Sequence, residues 1–299
     1  VISEATIKLE KLRTLLKSYG SCLVAYSGGV DSVFLARVAH EVLGDRALAV
    51  IADSPSLPRR ELQEALDIAA QFAFPVRVIQ TQEFANENYT ANPANRCYFC
   101  KHELFEELTP LARAENFAVI AYGENASDIG DFRPGAQAAV EFQVRAPLKE
   151  AGLTKAEIRE LSAQLGLPTA DKPQMACLSS RVPYGETVTP AKLRMIELAE
   201  YALRDLGFHD VRVRHHELKV TGDKWPVTGE NAAVTRPPSL VTHLARIEVG
   251  PAELQKFLTD GVTDKIAGAL KQIGYAHVTL DLQGYRRGST NEVLGKQAP

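Results

Sequence analysis

With 299 residues, 45% of them hydrophobic and 24% charged, the chain has the bulk of a soluble globular protein and room for two domains. A formal net charge of −3 argues against a surface built to coat nucleic acid, and no apolar run reaches the roughly 18 residues of a membrane span. The opening "VISEATIKLEKLRTLLKSYG" is too charged for a secretory signal and reads as an amphipathic helix ended by Gly20, so the expected location is the cytoplasm.

Beyond that helix, short apolar strands alternate with amphipathic helices. Strands are predicted at 21–26 ("SCLVAY"), 47–52, 76–80 and 117–122, with helices at 32–43, 58–73 and 101–115, Pro58 suiting a first helical turn. This alternation predicts an α/β fold with a doubly wound parallel sheet, in which ligands bind beyond the carboxyl ends of the strands. The loops at 27–32, 53–60, 81–100 and 123–135 are therefore the ones to inspect. Thr154 with Glu157 three later is a capping box and announces a helix at 154–165. The polar, proline-rich stretch 167–190 reads as a functional loop and junction. A helix at 190–206, "VRVRHH", "LARIEV", a helix at 251–273 and "HVTLDL" make a smaller α+β domain. The expected boundaries are 1–170, a junction at 171–189, and 190–299 with an insertion at 217–242, either a hairpin or a flap.

Chemistry concentrates in a few places. In "YSGGVDS", Gly28 and Gly29 let the backbone approach an anion, Ser27 and Ser32 add hydroxyls, and the following helix presents its N-terminus. The lysine of a Walker A loop is missing, so transfer of a terminal phosphoryl group is not the natural chemistry. Four cysteines are too few for a disulfide framework. Cys22 lies in an apolar strand and reads as core, whereas Cys97-x-x-Cys100 and Cys177 need a chemical explanation. A zinc half-site completed by Cys177 and His102, or a redox pair, both fit the spacing. Arg212 and Arg214, two apart on a strand, share a face suited to bidentate anion capture or to plain solvation, and His215 and His216 point opposite ways.

"SGGVDS" in this setting resembles the PP-loop of the ATP pyrophosphatases, which split ATP between the α- and β-phosphates. "SPSLPRREL" (54–62), "NRCYFCKHELF" (95–105), "GENASDIGDFRPG" (123–135), "APLKEAGLTKAEIRELSAQLGLP" (146–168) and "ACLSSRVPYG" (176–185) follow in order. With "RVRHH" and "LARIEV", they closely resemble the LarE family of ATP-dependent sulfur transferases that serve the nickel-pincer cofactor of lactate racemase. The resemblance spans nearly the whole chain except 217–242. It implies adenylation of a carboxylate on a pyridinium dicarboxylate mononucleotide, then replacement of AMP by sulfur. It implies ATP and Mg²⁺ as cofactors, with Ser27, Gly28, Gly29, Asp31, Ser32, Asp53, Asn125 and Asp128 at nucleotide and metal, Asp31 catalytic, and Asp131 as a further metal or substrate group. Arg133, Ser180, Arg181, Glu200, Arg212 and Arg214 would face the substrate. Cys177 would carry the sulfur, either sacrificed to dehydroalanine or joined with Cys97 and Cys100 on a 4Fe–4S cluster. The implied partners are the small substrate, further copies of the chain and other nickel-pincer biosynthesis proteins, with no nucleic acid and no membrane. A tRNA thiolase and a non-catalytic nucleotide-binding iron–sulfur protein are the competing readings.

Overall fold

Ser3 accepts the Thr6 amide and Gly20, at φ +73°, closes the last turn, so the ends of the first helix (α1, Glu4–Tyr19) are fixed by its own sequence. In the computed structural model, which describes residues 3–128, 134–173, 176–220 and 240–286, the chain continues through β1 (Cys22–Tyr26), α2 (Val30–Leu43), β2 (Ala47–Asp53), α3 (Arg59–Gln71) and β3 (Val76–Gln80). Then come α4 (Glu87–Thr90), α5 (Arg96–Ala114), β4 (Val119–Tyr122), α6 (Pro134–Glu141), α7 (Pro147–Ala151) and α8 (Lys155–Gln164). The remainder is α9 (Pro190–Asp205), β5 (Val211–Val220), β6 (Leu240–Val249), α10 (Val262–Ile273) and β7 (His277–Leu280). Contacts divide the chain into two compact units between Cys177 and Leu178.

The first unit is an α/β layer structure on a parallel sheet of order β3-β2-β1-β4. Alternate residues of β1 serve opposite faces, as strand geometry requires. Cys22, Val24 and Tyr26 pack with α1, α2, α3 and α8, whereas Leu23 and Ala25 pack with α5 and α6. Burial pushes the Cys22 thiol up to about 12, which fits an inert core residue. Arg145 adds a rudimentary fifth strand by bridging Ala121 in parallel. The chain runs from β1 outward to β3 and then crosses to β4 on the other flank. A topological switch therefore lies at the carboxyl end of β1, where a crevice opens in such sheets.

The second unit has a sheet of order β5-β6-β7, antiparallel then parallel, with Val213, Ala245 and Ile247 in a core shared with α9 and α10. Three expectations change. The segment 217–242 is not wholly an insertion: β5 extends to Val220 and β6 starts at Leu240, paired Val220 with Leu240. The stretch 221–239 lies outside the described residues. The helix expected at 251–273 is a 3₁₀ segment (Pro251–Leu258) and α10, interrupted where Gly261 adopts φ +75°. Finally α5 starts at Arg96, so Cys97-x-x-Cys100 sits in a helical turn rather than in the loop expected at 81–100.

Candidate active site

The phosphate loop leaves β1 at Ser27 and enters α2 at Val30. Gly28 has φ +70°, and a Cβ there would stand 2.7 Å from Ala65 Cβ on α3, so the position excludes any side chain twice over. Gly29 caps α2 with no side-chain bond, leaving the first amides of the helix turned outward. Ser32 Oγ donates to the Gly29 carbonyl at 3.1 Å and accepts the Ser27 amide at 3.1 Å, which fixes the loop's curvature. Gly123, just after β4, comes so close that a Cβ would meet the Ser32 amide at 3.1 Å. The loops following β1 and β4 thus pack together at the switch point.

Asp31 projects from the first turn of α2. Its Oδ2 accepts Lys155 Nζ at 2.7 Å, while its Oδ1 is buried and has no hydrogen-bond partner among the described residues. A hard cation such as Mg²⁺ is the kind of group that satisfies such an oxygen. Lys155 opens α8, whose own terminus is closed by the reciprocal Thr154–Glu157 bonds. A second lysine, Lys172, donates to the Gly28 carbonyl at 3.3 Å and pairs with Glu61 at 2.7 Å and Glu64 at 3.0 Å. Two lysines thus stand against the loop, from 124 and 144 residues away along the chain. Neither was signalled by sequence, since no local pattern marks a cation that must fold back over such a distance.

The other described residues expected at the nucleotide have hydrogen-bond partners within the protein. Asp53 binds Arg59 and accepts Gln80 Nε2 at 3.0 Å. Asn125 Oδ1 accepts the Ser127 amide at 2.9 Å, and Asp128 Oδ2 accepts the Asn125 amide at 3.1 Å, making a self-bonded turn after β4. Asp131 and Arg133 lie outside the described residues.

Cys97 and Cys100, three apart on α5, share a helix face. Both thiols are pushed up, first by burial of the sulfur and then by the charge of Cys177, which places all three within electrostatic reach. Arg96 hydrogen-bonds Cys97 and, with Lys101, works in the opposite sense. Thiolates are in general the donors that soft and borderline cations select. Among the described residues, no three His, Cys, Asp or Glu side chains already stand in a metal-gripping arrangement.

In the second unit, Arg181 is fully buried and grips Glu200, with Nε–Oε1 at 2.8 Å and Nη2–Oε2 at 3.1 Å. Glu200 Oε1 also accepts the Val213 amide at 3.1 Å on the free edge of β5. Arg181 and Glu200, read from the sequence as substrate contacts, thus form a buried ion pair with each other. Arg214 donates to the Ser180 carbonyl at 2.8 Å and to Glu248 at 2.7 Å. Arg212 stacks over the Tyr285 ring at 4.7 Å, and burial together with the nearby Arg181 charge lowers its pKa. Arg212 and Arg214 do share a face of β5, held by aromatic and carboxylate neighbours rather than loose in solvent.

No protein-family model matches the chain. It is 44% identical, over 97% of its own length and 98% of the other's, to an uncharacterized protein of Synechocystis sp.. It is 31% identical, over 98% of its length and 97% of the other's, to the pyridinium-3,5-bisthiocarboxylic acid mononucleotide synthase of Lactiplantibacillus plantarum. A shorter likeness, 27% identity over 64% of the chain and 65% of the relative, links it to one component of the glutamine-hydrolyzing GMP synthase of Pyrococcus furiosus.

Proposed function

The chain belongs to the LarE family, that of the pyridinium-3,5-bisthiocarboxylic acid mononucleotide synthase, and on that premise we propose that it is an ATP-dependent sulfur transferase acting on a carboxylate of a pyridinium dicarboxylate mononucleotide. The observation that carries the reading is that one unit holds both the phosphate loop and three cysteines within electrostatic reach of one another. The product would enter the nickel-pincer cofactor of lactate racemase, made alongside other proteins of that biosynthesis. The working form is a cytoplasmic homo-oligomer.

The division of labour follows from the chemistry. Amides of the loop and the Ser27 and Ser32 hydroxyls would hold the departing pyrophosphate, and Asp31, whose Oδ1 has no partner among the described residues, would hold Mg²⁺. Lys155 and Lys172 offset the charge released there, while Asp53, Asn125 and Asp128 border the nucleotide. A substrate carboxylate oxygen attacks the α-phosphorus, the bond to the β-phosphate oxygen breaks, and an acyl-adenylate forms. Arg133, Ser180, Arg212 and Arg214 serve the substrate's anionic groups, with Arg181 and Glu200 bracing them. Cys177 Sγ then attacks the acyl carbon and AMP leaves. Loss of the Cys177 α-proton with cleavage of its Cβ–S bond leaves a thiocarboxylate and dehydroalanine. A 4Fe–4S cluster on Cys97, Cys100 and Cys177, when bound, supplies sulfur from outside the protein and spares Cys177.

The test is pyrophosphate release by anaerobically purified protein given ATP, Mg²⁺ and the mononucleotide, with iron, acid-labile sulfide and chain mass measured before and after. Substrate-dependent release is expected. A mass loss of about 34 Da, one H₂S, marks sacrifice of Cys177, whereas unchanged mass with iron and thiolated product marks the cluster. ATP binding with no substrate-dependent release would overturn the proposal in favour of a nucleotide-binding scaffold.

A further inference from the structure

The arginine of "LARIEV", Arg246, has no part in the chemistry above. It stands directly across from Arg214 in the β5–β6 pairing, and Glu248 stands across from Arg212. Side chains paired in register lie on the same face of a sheet. Arg212, Arg214 and Arg246 therefore share one face of two adjacent strands, opposite the face on which Val213, Ala245 and Ile247 enter the core. Like charges directly opposite one another destabilise a sheet, so folding alone does not favour Arg214 facing Arg246.

One buried acid serves both of them. Glu248 is 1% exposed and accepts from Arg214 Nη2 at 2.7 Å through Oε2 and from Arg246 Nη2 at 3.2 Å through Oε1. Asp281 stands 3.3 Å from Arg246 Nη1. The Nε of Arg246 is buried and has no hydrogen-bond partner among the described residues, while its side chain as a whole is 41% exposed. His216 lies two positions along from Arg214 on the same face, and its Nε2 is likewise buried without a partner among the described residues. Burial and the charges of Arg246 and Arg214 hold the pKa of His216 below its ordinary value. Bare nitrogens beside guanidiniums on one sheet face are the groups that an anion satisfies.

We propose that Arg246, with His216 beside it, binds the second carboxylate of the dicarboxylate substrate, the one not being activated. This rests on the proposed function and deepens it. The substrate carries a phosphate and two carboxylates, and the face carries three arginines. Arg212 and Arg214 serve groups that a one-carboxylate mononucleotide also has, whereas Arg246 selects for the second carboxylate. Glu248 fixes one side of the Arg246 guanidinium, and the exposed remainder meets the ligand. A guanidinium suits this task because its planar fork matches a carboxylate with two parallel bonds, which an ammonium cannot copy.

Calorimetric binding to the full chain, with Mg²⁺ and an ATP analogue that cannot be split between its α- and β-phosphates, tests this. The two probes are the pyridinium-3,5-dicarboxylate mononucleotide and the same mononucleotide with a single carboxylate. Wild type should bind the first about 10- to 100-fold more tightly, the range of one charge-assisted pair. Arg246→Met should abolish that preference and leave affinity for the one-carboxylate probe nearly unchanged. Arg212→Met should weaken both probes by similar factors, and His216→Phe should reduce the preference less than Arg246→Met does. An Arg246→Met protein that keeps the full preference, or that weakens both probes equally, overturns the inference and leaves the sulfur-transferase reading standing. A wild type that binds both probes alike does the same. A wild type that binds neither probe overturns both readings together. Should Arg246→Met fail to fold, Arg246→Lys, which keeps the charge beside Glu248 and loses the fork, decides by the same preference, expected to fall below wild type.

Discussion

Substituting Gly28 by alanine brings two separable penalties, and the structure says how to tell them apart. The backbone at φ +70° costs a residue with a Cβ about 1–2 kcal/mol. The new methyl would also stand 2.7 Å from Ala65 Cβ on α3, an overlap of the kind that costs about 1–3 kcal/mol. Gly28→Ala should therefore lose about 2–5 kcal/mol in urea unfolding. Ala65→Gly alone should lose about 1 kcal/mol, the ordinary cost of glycine inside a helix. The double variant removes the overlap but keeps both backbone penalties, so its loss should fall short of the sum by about 1–3 kcal/mol. Additivity within about 0.5 kcal/mol would refute the reasoning, because it would mean that α3 does not press on the loop. Gly29→Ala is the control: its Cβ would meet Ser27 Oγ no closer than 3.6 Å, so the loss should be that of a weaker cap, about 0.5–1 kcal/mol.

Lys155→Met should cost under about 1 kcal/mol in denaturant, since its pair with Asp31 is part-exposed, yet cut substrate-dependent pyrophosphate release by roughly 10- to 100-fold. Unchanged release would remove Lys155 from the site. Glu200→Ala strands the fully buried Arg181 and should lose about 3–5 kcal/mol by the same denaturant assay, much of it regained in Glu200→Met/Arg181→Met. His215 is held down to about 4 from its ordinary 6.5, by burial first and then by His243 and Lys192. The folded state therefore binds fewer protons than the unfolded one, and stability should fall from pH 6.5 toward 4 by up to roughly 3 kcal/mol. His215→Phe should flatten that slope in pH-dependent unfolding, leaving the shallower one from His216, also held low by burial.

How far the sequence goes depends on the range over which each signal acts. The apolar runs of β1 to β4 and the Thr154–Glu157 capping box are local patterns, and the structure follows them to within a few residues. The phosphate loop is equally local, because its glycines and serines act on their own backbone. The start of α5 was hidden: Asn95 makes no side-chain cap, and "RCYFC" carries no helical apolar period. Gly261 breaks a stretch whose composition alone reads as one helix. Pairings across distance left no trace at all. Arg181 and Glu200 were read singly as anion-site residues and prove to be each other's partners, and Lys155, unmarked in the sequence, proves to pair with Asp31 of the phosphate loop's helix.

The distance between the phosphate loop and its two lysines also sets a schedule for the ribosome. Residues 26–32 emerge early, but Lys155 and Lys172 arrive only after the whole parallel sheet has been made. Stabilisation by a bound nucleotide scales with the logarithm of its concentration over its dissociation constant, so a nascent chain gains little until both cations have docked. On the proposed function, ATP would then be a late ligand, stabilising a finished first unit and giving no help to a stalled one.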